Sequence, residues 1–344
     1  MDLTLREAVL RYFTQSNAYV SGERLSEALG CTRTAVWKQI EELRALGYVF
    51  DAKPRKGYRL VSRPDVVLAE EIKCFNEAAH IGQEVRYVDT TPSTQQIAHK
   101  WAREGAAHGA LVVADEQTAG KGRMGRFWHS PPGSGIWMSF ILRPAIPLVY
   151  TPHLTILVAV AVTRALRRAA SVDALIKWPN DLFIAGRKVC GVLTEVRAEA
   201  DRIHYVVAGV GINVHTTKED WPPELRPIAT SLTQEIAHVE GQSITGGAVE
   251  DGDYGEEKPH LSRARIIAAC CEELEQLLNM YEKNGFSPIR SLWESYAFML
   301  GQTVTVRASD GTKRGKALGL DESGALLLQT SQGVEPIFSA DVLV

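Results

Sequence analysis

Residues 118–126 read TAGKGRMGR. Three glycines (Gly120, Gly122, Gly125) and three cations (Lys121, Arg123, Arg126) share seven positions, and the spacing satisfies G-x-G-x-x-G. That fingerprint marks a doubly wound dinucleotide-binding fold when a helix comes after it and an acid stands about 20 residues on. A β-prone run does precede it, ALVVADEQ (110–117). The chain continues as RFWHSPPGSG (126–135), whose Pro131-Pro132 pair forbids a helix. No Asp or Glu occurs in 140–150. A Walker-type phosphate loop fails too, because Arg126-Phe127 stands after Gly125 where Lys-Ser/Thr is needed. The stretch therefore reads as a basic loop between two strands. Its glycines let backbone N–H groups approach an anion, and its cations neutralise one. A solvated charged turn is the competing reading, and the flanking sequence has to decide.

Upstream, residues 3–13 place Leu3, Leu5, Val9, Leu10 and Phe13 near helical spacing. SGERLSEALG (21–30) offers a Ser21 cap and a Gly30 stop, and CTRTAVWKQIEELRALGY (31–48) puts Val36, Ile40 and Leu43 on one face. Two short helices across a tight turn form a helix-turn-helix. YVFDAKPRKGYRLV (48–61) then reads as a hairpin, or wing. Residues 1–62 hold ten Lys/Arg against seven Asp/Glu, although the chain as a whole has a net charge of −3. Arg33, Thr34 and Lys38 on the second helix are candidates for base edges or phosphates, and Lys53, Arg55 and Lys56 on the wing for phosphates. A small helical packing domain with a solvated basic turn has the same pattern.

Downstream, helices are expected at 68–78, 94–104, 153–170 and 262–284, and strands at 84–89, 110–116, 136–142, 174–177, 181–185, 188–196 and 203–213. This is a mixed α/β domain. Residues 240–260, rich in acids and glycines, read as an exposed, mobile insertion. Residues 301–344 alternate short strands with turns at SDGT, DESG and SQG, which suits a small β-barrel. The chain of 344 residues is thus expected to be an α+β multidomain protein, with units at 1–63, 66–290 and 298–344. Five scattered cysteines contain no C-x-x-C, so neither a zinc site nor a disulfide framework is expected, and no metal-ligand set is assigned. LTILVAVAV (154–162) is too short to span a bilayer, and MDLTLREAVLRYF is not a signal sequence. A soluble protein of the reducing cytoplasm, with no membrane partner, is expected.

The loop resembles the ligand loop of biotin protein ligases, and four further motifs agree in order: TTPSTQQIA (90–98), KWPNDL (177–182), GRKVCGVLTE (186–195) and GVGINV (209–214). With a winged helix in front and a β module behind, the chain is similar to the bifunctional bacterial enzymes that also repress the biotin operon. The resemblance implies a central domain of the biotin/lipoate ligase type and an SH3-like C-terminal barrel. It implies that ATP, with Mg²⁺, activates biotin as biotinyl-5′-AMP, and that biotin passes to a lysine of a biotin carboxyl carrier protein. It implies that the adenylate is the corepressor and that a homodimer binds operator DNA. By the same resemblance Lys188 and Arg123 are catalytic. Ser93, Thr94, Gln95, Gln117, Lys121, Gly122, Arg123 and Lys188 address biotin and the adenylate, and Arg126, Lys177, Asn180 and Asn213 the nucleotide and its Mg²⁺. Asp181 either binds metal or orients Arg123 or Lys188. Trp128 either stacks on adenine or packs in the core. Trp178 and Pro179 are read as packing, and His99, His108 and His129 as surface or structural residues. The sequence departs from the family pattern at Lys121 and Met124, where arginine is frequent, and at Gln95, where asparagine is common. A biotin sensor without catalysis and a lipoate ligase are the alternatives.

Overall fold

The computed structural model describes residues 4–15, 17–199, 202–244, 261–308 and 311–343. The N-terminal helices are α1 (Leu5–Thr14), α2 (Gly22–Ala28) and α3 (Arg33–Ala45). Each starts on a hydroxyl that satisfies an orphan N–H: Thr4, in a reciprocal box with Glu7, then Ser21 and Thr32. Their apolar faces close on Val9, Leu10, Phe13, Leu25, Val36, Ile40 and Leu43. The wing is the antiparallel pair β1 (Val49–Lys53) and β2 (Gly57–Ser62). Its base is fixed at Gly57, with φ +94°, where a Cβ would lie 2.0 Å from the Val20 carbonyl oxygen. Tyr58 N–H donates to that oxygen at 2.9 Å, so only glycine lets the wing dock there.

The central sheet has seven strands in the order β3 (Val85–Thr91), β4 (Leu111–Gln117), β5 (Gly135–Leu142), β9 (Arg202–Asn213), β8 (Arg187–Glu199), β7 (Asp181–Ile184) and β6 (Leu175–Lys177). Only β3 and β4 run parallel, joined through α5 (Thr94–Arg103). Strand alternation assigns the two faces. On β9, Val206, Ala208, Val210 and Ile212 enter the main core, with α6 (Thr151–Ala170) and α8 (Arg263–Asn284) over them. Tyr205 and Val207 face the other way and pack with Ala98, Trp101 and Ala102 of α5. The next residues of that second face are Gly209, Gly211 and Asn213, which line an open cavity.

The 154–162 run sits inside a helical segment, Leu148–Ala170, that is long and apolar enough to cross a membrane by composition. It is the core helix instead: Leu154, Leu157, Val158 and Ala161 are all buried in the main cluster. The helix expected at 68–78 is the shorter α4 (Ala69–Phe75). Asn76 ends it, with extended backbone, its Oδ1 accepting from Ala78 N–H and its Nδ2 donating to the Ile81 carbonyl. Helices α7 (Leu232–Ile244) and α9 (Ser287–Tyr296) were not expected. Residues 240–244 thus end a helix and are not loop, while 245–260 lie outside the described residues.

The C-terminal strands β10 (Thr303–Ala308), β11 (Gly311–Leu320), β12 (Leu326–Thr330), β13 (Gly333–Ile337) and β14 (Asp341–Leu343) form one antiparallel sheet in the order β13-β12-β11-β10-β14. This is the strand order of an SH3-like meander, in keeping with the α+β multidomain expectation. Val304, Val306 and Leu328 join the central core, so the module is welded on. His153 of α6 pins the seam: its ring stacks on Phe286 at 3.7 Å, and its nitrogens lie 2.8 Å from the Glu322 carbonyl and from the Tyr281 hydroxyl.

Candidate functional site

The glycine-rich loop starts where β4 ends and is tied down at once: Thr118 and Ala119 N–H donate to the Thr91 and Pro92 carbonyls. It then doubles back on itself, with Trp128 N–H donating to Gly120 and Gly122 N–H to Arg126. A single 3₁₀ turn at Arg123–Gly125 makes the bend, with left-handed backbone at Met124 and Gly125. No α-helix intervenes before β5. The loop is a small hairpin folded over the uncovered sheet face, and beneath it lies a cavity of about 510 Å³.

The floor of the cavity is glycine. Gly191 of β8 and Gly211 of β9 face each other across the ladder, and the Trp128 indole lies on both. A Cβ on Gly211 would be 2.4 Å from Trp128 Nε1. Trp128 is therefore a wall of the cavity, not a core residue. The sequence carried a signal for this surface in GVGINV, since glycines two apart in a strand mark one face to which something comes close.

Ser93, Gln95, Gln117, Lys121, Gly122 and Arg123 all line the cavity, as do Arg126, Lys177, Asn180, Lys188 and Asn213. Thr94 does not. It is buried behind Gln117, whose Oε1 accepts from both its N–H and its hydroxyl, at 2.9 and 3.1 Å. Its hydroxyl also meets Ser139 Oγ at 2.8 Å, while Gln117 Nε2 donates to Ser130 Oγ. Thr94 thus sets the orientation of Gln117.

Five cations, Lys121, Arg123, Arg126, Lys177 and Lys188, face two carboxylates, Asp181 and Asp341. Lys188 Nζ sits 2.6 Å from Asp181 and 5.4 Å from the Trp128 ring centre. Its backbone is anchored on both sides by the 215–230 segment, through Ile228 and Thr230. Arg123 donates to Asn180 Oδ1 at 3.1 Å and to Ser339 Oγ at 3.2 Å, and Arg126 pairs with Asp341. Burial pushes Arg123 and Lys177 below their ordinary values, with Asp181 pulling each partly back. An anion entering the cavity relieves that penalty.

Several polar atoms at the wall are buried without a hydrogen-bond partner among the described residues: Gln95 Oε1, Asn213 Oδ1, Trp128 Nε1, His129 Nε2 and Trp221 Nε1. Such orphans are uncommon in native folds, and a bound water or a polar ligand group would satisfy them. Sequence reading missed Trp221, and it missed Ser339 and Asp341, which reach the loop from the C-terminal sheet. It left His129 as surface or structural, whereas the ring lines the cavity.

The second group of candidates lies apart, on the N-terminal domain. Arg33, Thr34 and Lys38 share the exposed start of α3, and Arg33 pairs with Glu23. Lys53, Arg55 and Lys56 are exposed on the wing. Trp37, 53% exposed between Thr34 and Lys38, belongs to this face and was not singled out.

The model of the biotin/lipoate A/B protein ligase family matches residues 87–213, that of an HTH domain residues 5–59, and that of the biotin protein ligase C-terminal domain residues 299–344. The chain is 46% identical over 343 residues to the bifunctional ligase/repressor BirA of Bacillus subtilis, covering 99% of each chain. It is 28% identical over 326 residues to that of Escherichia coli, covering 94% of this chain and 92% of the relative. Among solved structures, the biotin protein ligase of Aquifex aeolicus in complex with biotin and ATP matches with a TM-score of 0.59 and 28% identity, over 76% of this chain and 98% of that one. A glycine-floored, cation-rimmed cavity in a ligase-type sheet, a winged helix before it and full-length identity agree: the chain belongs to the BirA family of bifunctional biotin protein ligase/repressors.

Proposed function

We propose that the chain joins biotin to a lysine of a biotin carboxyl carrier domain through biotinyl-5′-AMP, and represses biotin synthesis and transport genes when the adenylate is bound. The observation that carries the reading is the pairing of an apolar glycine–tryptophan floor with five cations above it. That suits a ligand with an uncharged ring at one end and anionic groups at the other.

In the first step an oxygen of the biotin carboxylate bonds to the ATP α-phosphorus, and pyrophosphate leaves. Lys188 and Arg123 stabilise the charge gathered at the carboxylate and α-phosphate. Asp181 holds the Lys188 ammonium in place between turnovers. Ser93, Gln95 and Gln117 address the biotin end, with Thr94 fixing the Gln117 amide. Lys121 and Gly122 cover the acyl chain, while Arg126, Lys177, Asn180 and Asn213 serve the nucleotide. In the second step the acceptor lysine amine attacks the acyl carbon, AMP leaves and the amine gives up its proton. The loop hairpin excludes water, which would otherwise hydrolyse the anhydride. Among the described residues no group of three or more His, Cys, Asp or Glu is placed to hold a metal. Mg²⁺ fits as the counter-ion of the ATP phosphates, since that ion commonly keeps its waters and takes one or two carboxylates, here Asp181 or Asp341.

Arg33, Thr34 and Lys38 face the operator major groove, and Lys53, Arg55 and Lys56 its backbone. The units 1–63, 66–290 and 298–344 act as DNA-binding, catalytic and loop-supporting domains of a cytoplasmic protein that dimerises on ligand or DNA. The test is mass spectrometry of a carboxyl carrier domain incubated with the protein, ATP, Mg²⁺ and biotin. One biotinyl addition is expected. No addition at any protein concentration means a sensor that does not catalyse; in a parallel incubation with lipoate in place of biotin and a lipoyl domain as acceptor, lipoyl addition without any biotinyl addition in the first mixture means a lipoate ligase. Sedimentation with and without biotinyl-5′-AMP tests the dimer: equal association constants would refute ligand-linked assembly.

A further inference from the structure

Arg263 lies outside the ligand cavity, yet it is only 3% exposed, a rare place for a guanidinium. It opens α8 just after the Ser262 cap, and all three side-chain nitrogens donate. Nε reaches Asp65 Oδ2 at 2.7 Å, and Nη2 the Asp65 carbonyl at 2.8 Å. Nη1 reaches Asp115 Oδ1 at 2.9 Å and the Gly135 carbonyl at 3.2 Å. The Arg263 backbone N–H adds a bond to Asp65 Oδ1 at 2.7 Å.

These partners are not random. Asp65 belongs to the segment between β2 and α4 that leads from the winged helix. Asp115 stands two residues before Gln117, and its Oδ2 accepts from Gly133 N–H at 3.0 Å, so it ties both feet of the glycine-rich loop together. Asp65 Oδ2 also lies 3.0 Å from His215 Nε2. His215 stands two residues after Asn213, where the 215–230 loop leaves the sheet, and its N–H donates to the Ser134 carbonyl at 2.7 Å. Both loops around the cavity and the interdomain linker therefore stand on one ion cluster, in which the buried Arg263 is surrounded by the half-buried Asp65, Asp115 and His215.

We propose that Arg263 and Asp65 form a latch that positions the two ligand loops only while the linker is seated; for the identity of the ligand this rests on the proposed ligase function. If the linker lifts away, Arg263 loses three of its five bonds and stays buried with one carboxylate. A buried charge that loses a partner is costly, so seating of the linker and ordering of the loop feet favour each other. A ligand that needs both loops ordered strengthens the seating, and an unseated linker loosens the ligand.

The test uses the full chain with Asp65→Ala, and Arg263→Lys as a second variant that keeps the charge and loses the planar fork. Two readouts are followed: amide hydrogen exchange at residues 133–135 and 213–217 without ligand, and the release rate of biotinyl-5′-AMP. Both are expected to rise about tenfold in Asp65→Ala, the scale of one charged hydrogen bond, with exchange in α6 unchanged and kcat at saturating biotin within about twofold. Arg263→Lys shifts both in the same direction. Uniformly faster exchange, α6 included, would show a merely structural role and overturn the latch, as would wild-type values of exchange and release. If the wild-type protein makes no adenylate, the ligase reading fails and the loop-foot exchange alone decides the latch.

Discussion

Two basic turns with nearly the same chemistry end up in opposite settings. The wing turn, Lys53-Pro54-Arg55-Lys56-Gly57, and the loop Gly120–Arg126 each join antiparallel strands through glycine and three cations. The wing projects, with Arg55 and Lys56 exposed to solvent, while Lys53, also exposed, lies 4.9 Å over the Tyr19 ring and 3.9 Å from Asp51. The loop lies over a concave sheet face, and its cations share a cavity with Trp128, Asn180 and Asp341. Exposed cations on a projecting hairpin suit a polyanion that supplies many weak contacts. Partly desolvated cations converging on one cavity suit one or two charges on a small ligand. Composition is shared; concavity and desolvation decide which anion each turn serves.

The largest effect expected to separate the two is at Lys188. Lys188→Ala should lower the rate of biotinyl-5′-AMP formation by about 10²–10³-fold, the cost of losing one preorganised group on developing charge. Binding of preformed adenylate complex to DNA should stay close to wild type. Single-turnover kinetics within threefold of wild type would break the assignment.

Next comes the floor. Gly211→Val puts side-chain atoms where the Trp128 indole lies, since even a Cβ falls 2.4 Å from it. The indole must move, and the KM for biotin should rise on the order of tenfold or more, with a shift in tryptophan emission. An unchanged KM would mean that the ligand does not use this surface.

The wing should fail in the complementary way. Arg55→Ala and Lys56→Ala should each reduce the slope of log affinity for DNA against log salt by about 1, leaving biotin transfer unaffected. A wing variant that slowed transfer would blur the division between the two turns.

The smallest effect is at the seam of the C-terminal module. Burial pushes the His153 imidazole below its ordinary value, although the Glu322 carbonyl works the other way. The unfolded chain therefore binds the proton more readily. The stability that His153 contributes is complete above its unfolded pKa of about 6.5 and is lost as pH falls from there toward the folded value. Tm should drop by a few degrees between about pH 7 and about pH 5.5, and His153→Gln should flatten part of that drop. Parallel profiles would mean that another group drives it.

Much of the architecture was legible because periodicity carries it. The helix-turn-helix core, the wing and most central strands show in apolar spacing and turn residues that need no long-range partner. The motif residues of the candidate site were legible as well, since Lys188, Arg123 and Gln117 stand in recognisable local patterns. Thr94 was not distinguishable from its neighbours: whether a hydroxyl faces a ligand or a glutamine depends on which strand lies behind it. Ser339 and Asp341 sit about 215 residues from the arginines they meet, in an ordinary β-module sequence. Arg263 reads as any arginine at a helix start. Helix α7 is weakly periodic, whereas the short α9 has a clear apolar face, with Ile289 and Trp293 buried, and was overlooked beside the longer α8.

The sequence alone determined the order of domains, the identity of the basic loop as something other than a dinucleotide fingerprint, and the strand alternation that puts Gly209 and Gly211 on one face. Local sterics suffice for these: a Pro-Pro pair cannot be helical, and side chains alternate in a strand. Only the tertiary structure decided that the face is left uncovered beyond the start of α5, and that Trp128 lies on it. It alone seated a C-terminal carboxylate on the loop and gathered a linker aspartate and a distant arginine under both loop feet. Such encounters join residues far apart in the chain, and burial turns ordinary charged side chains into specific partners there.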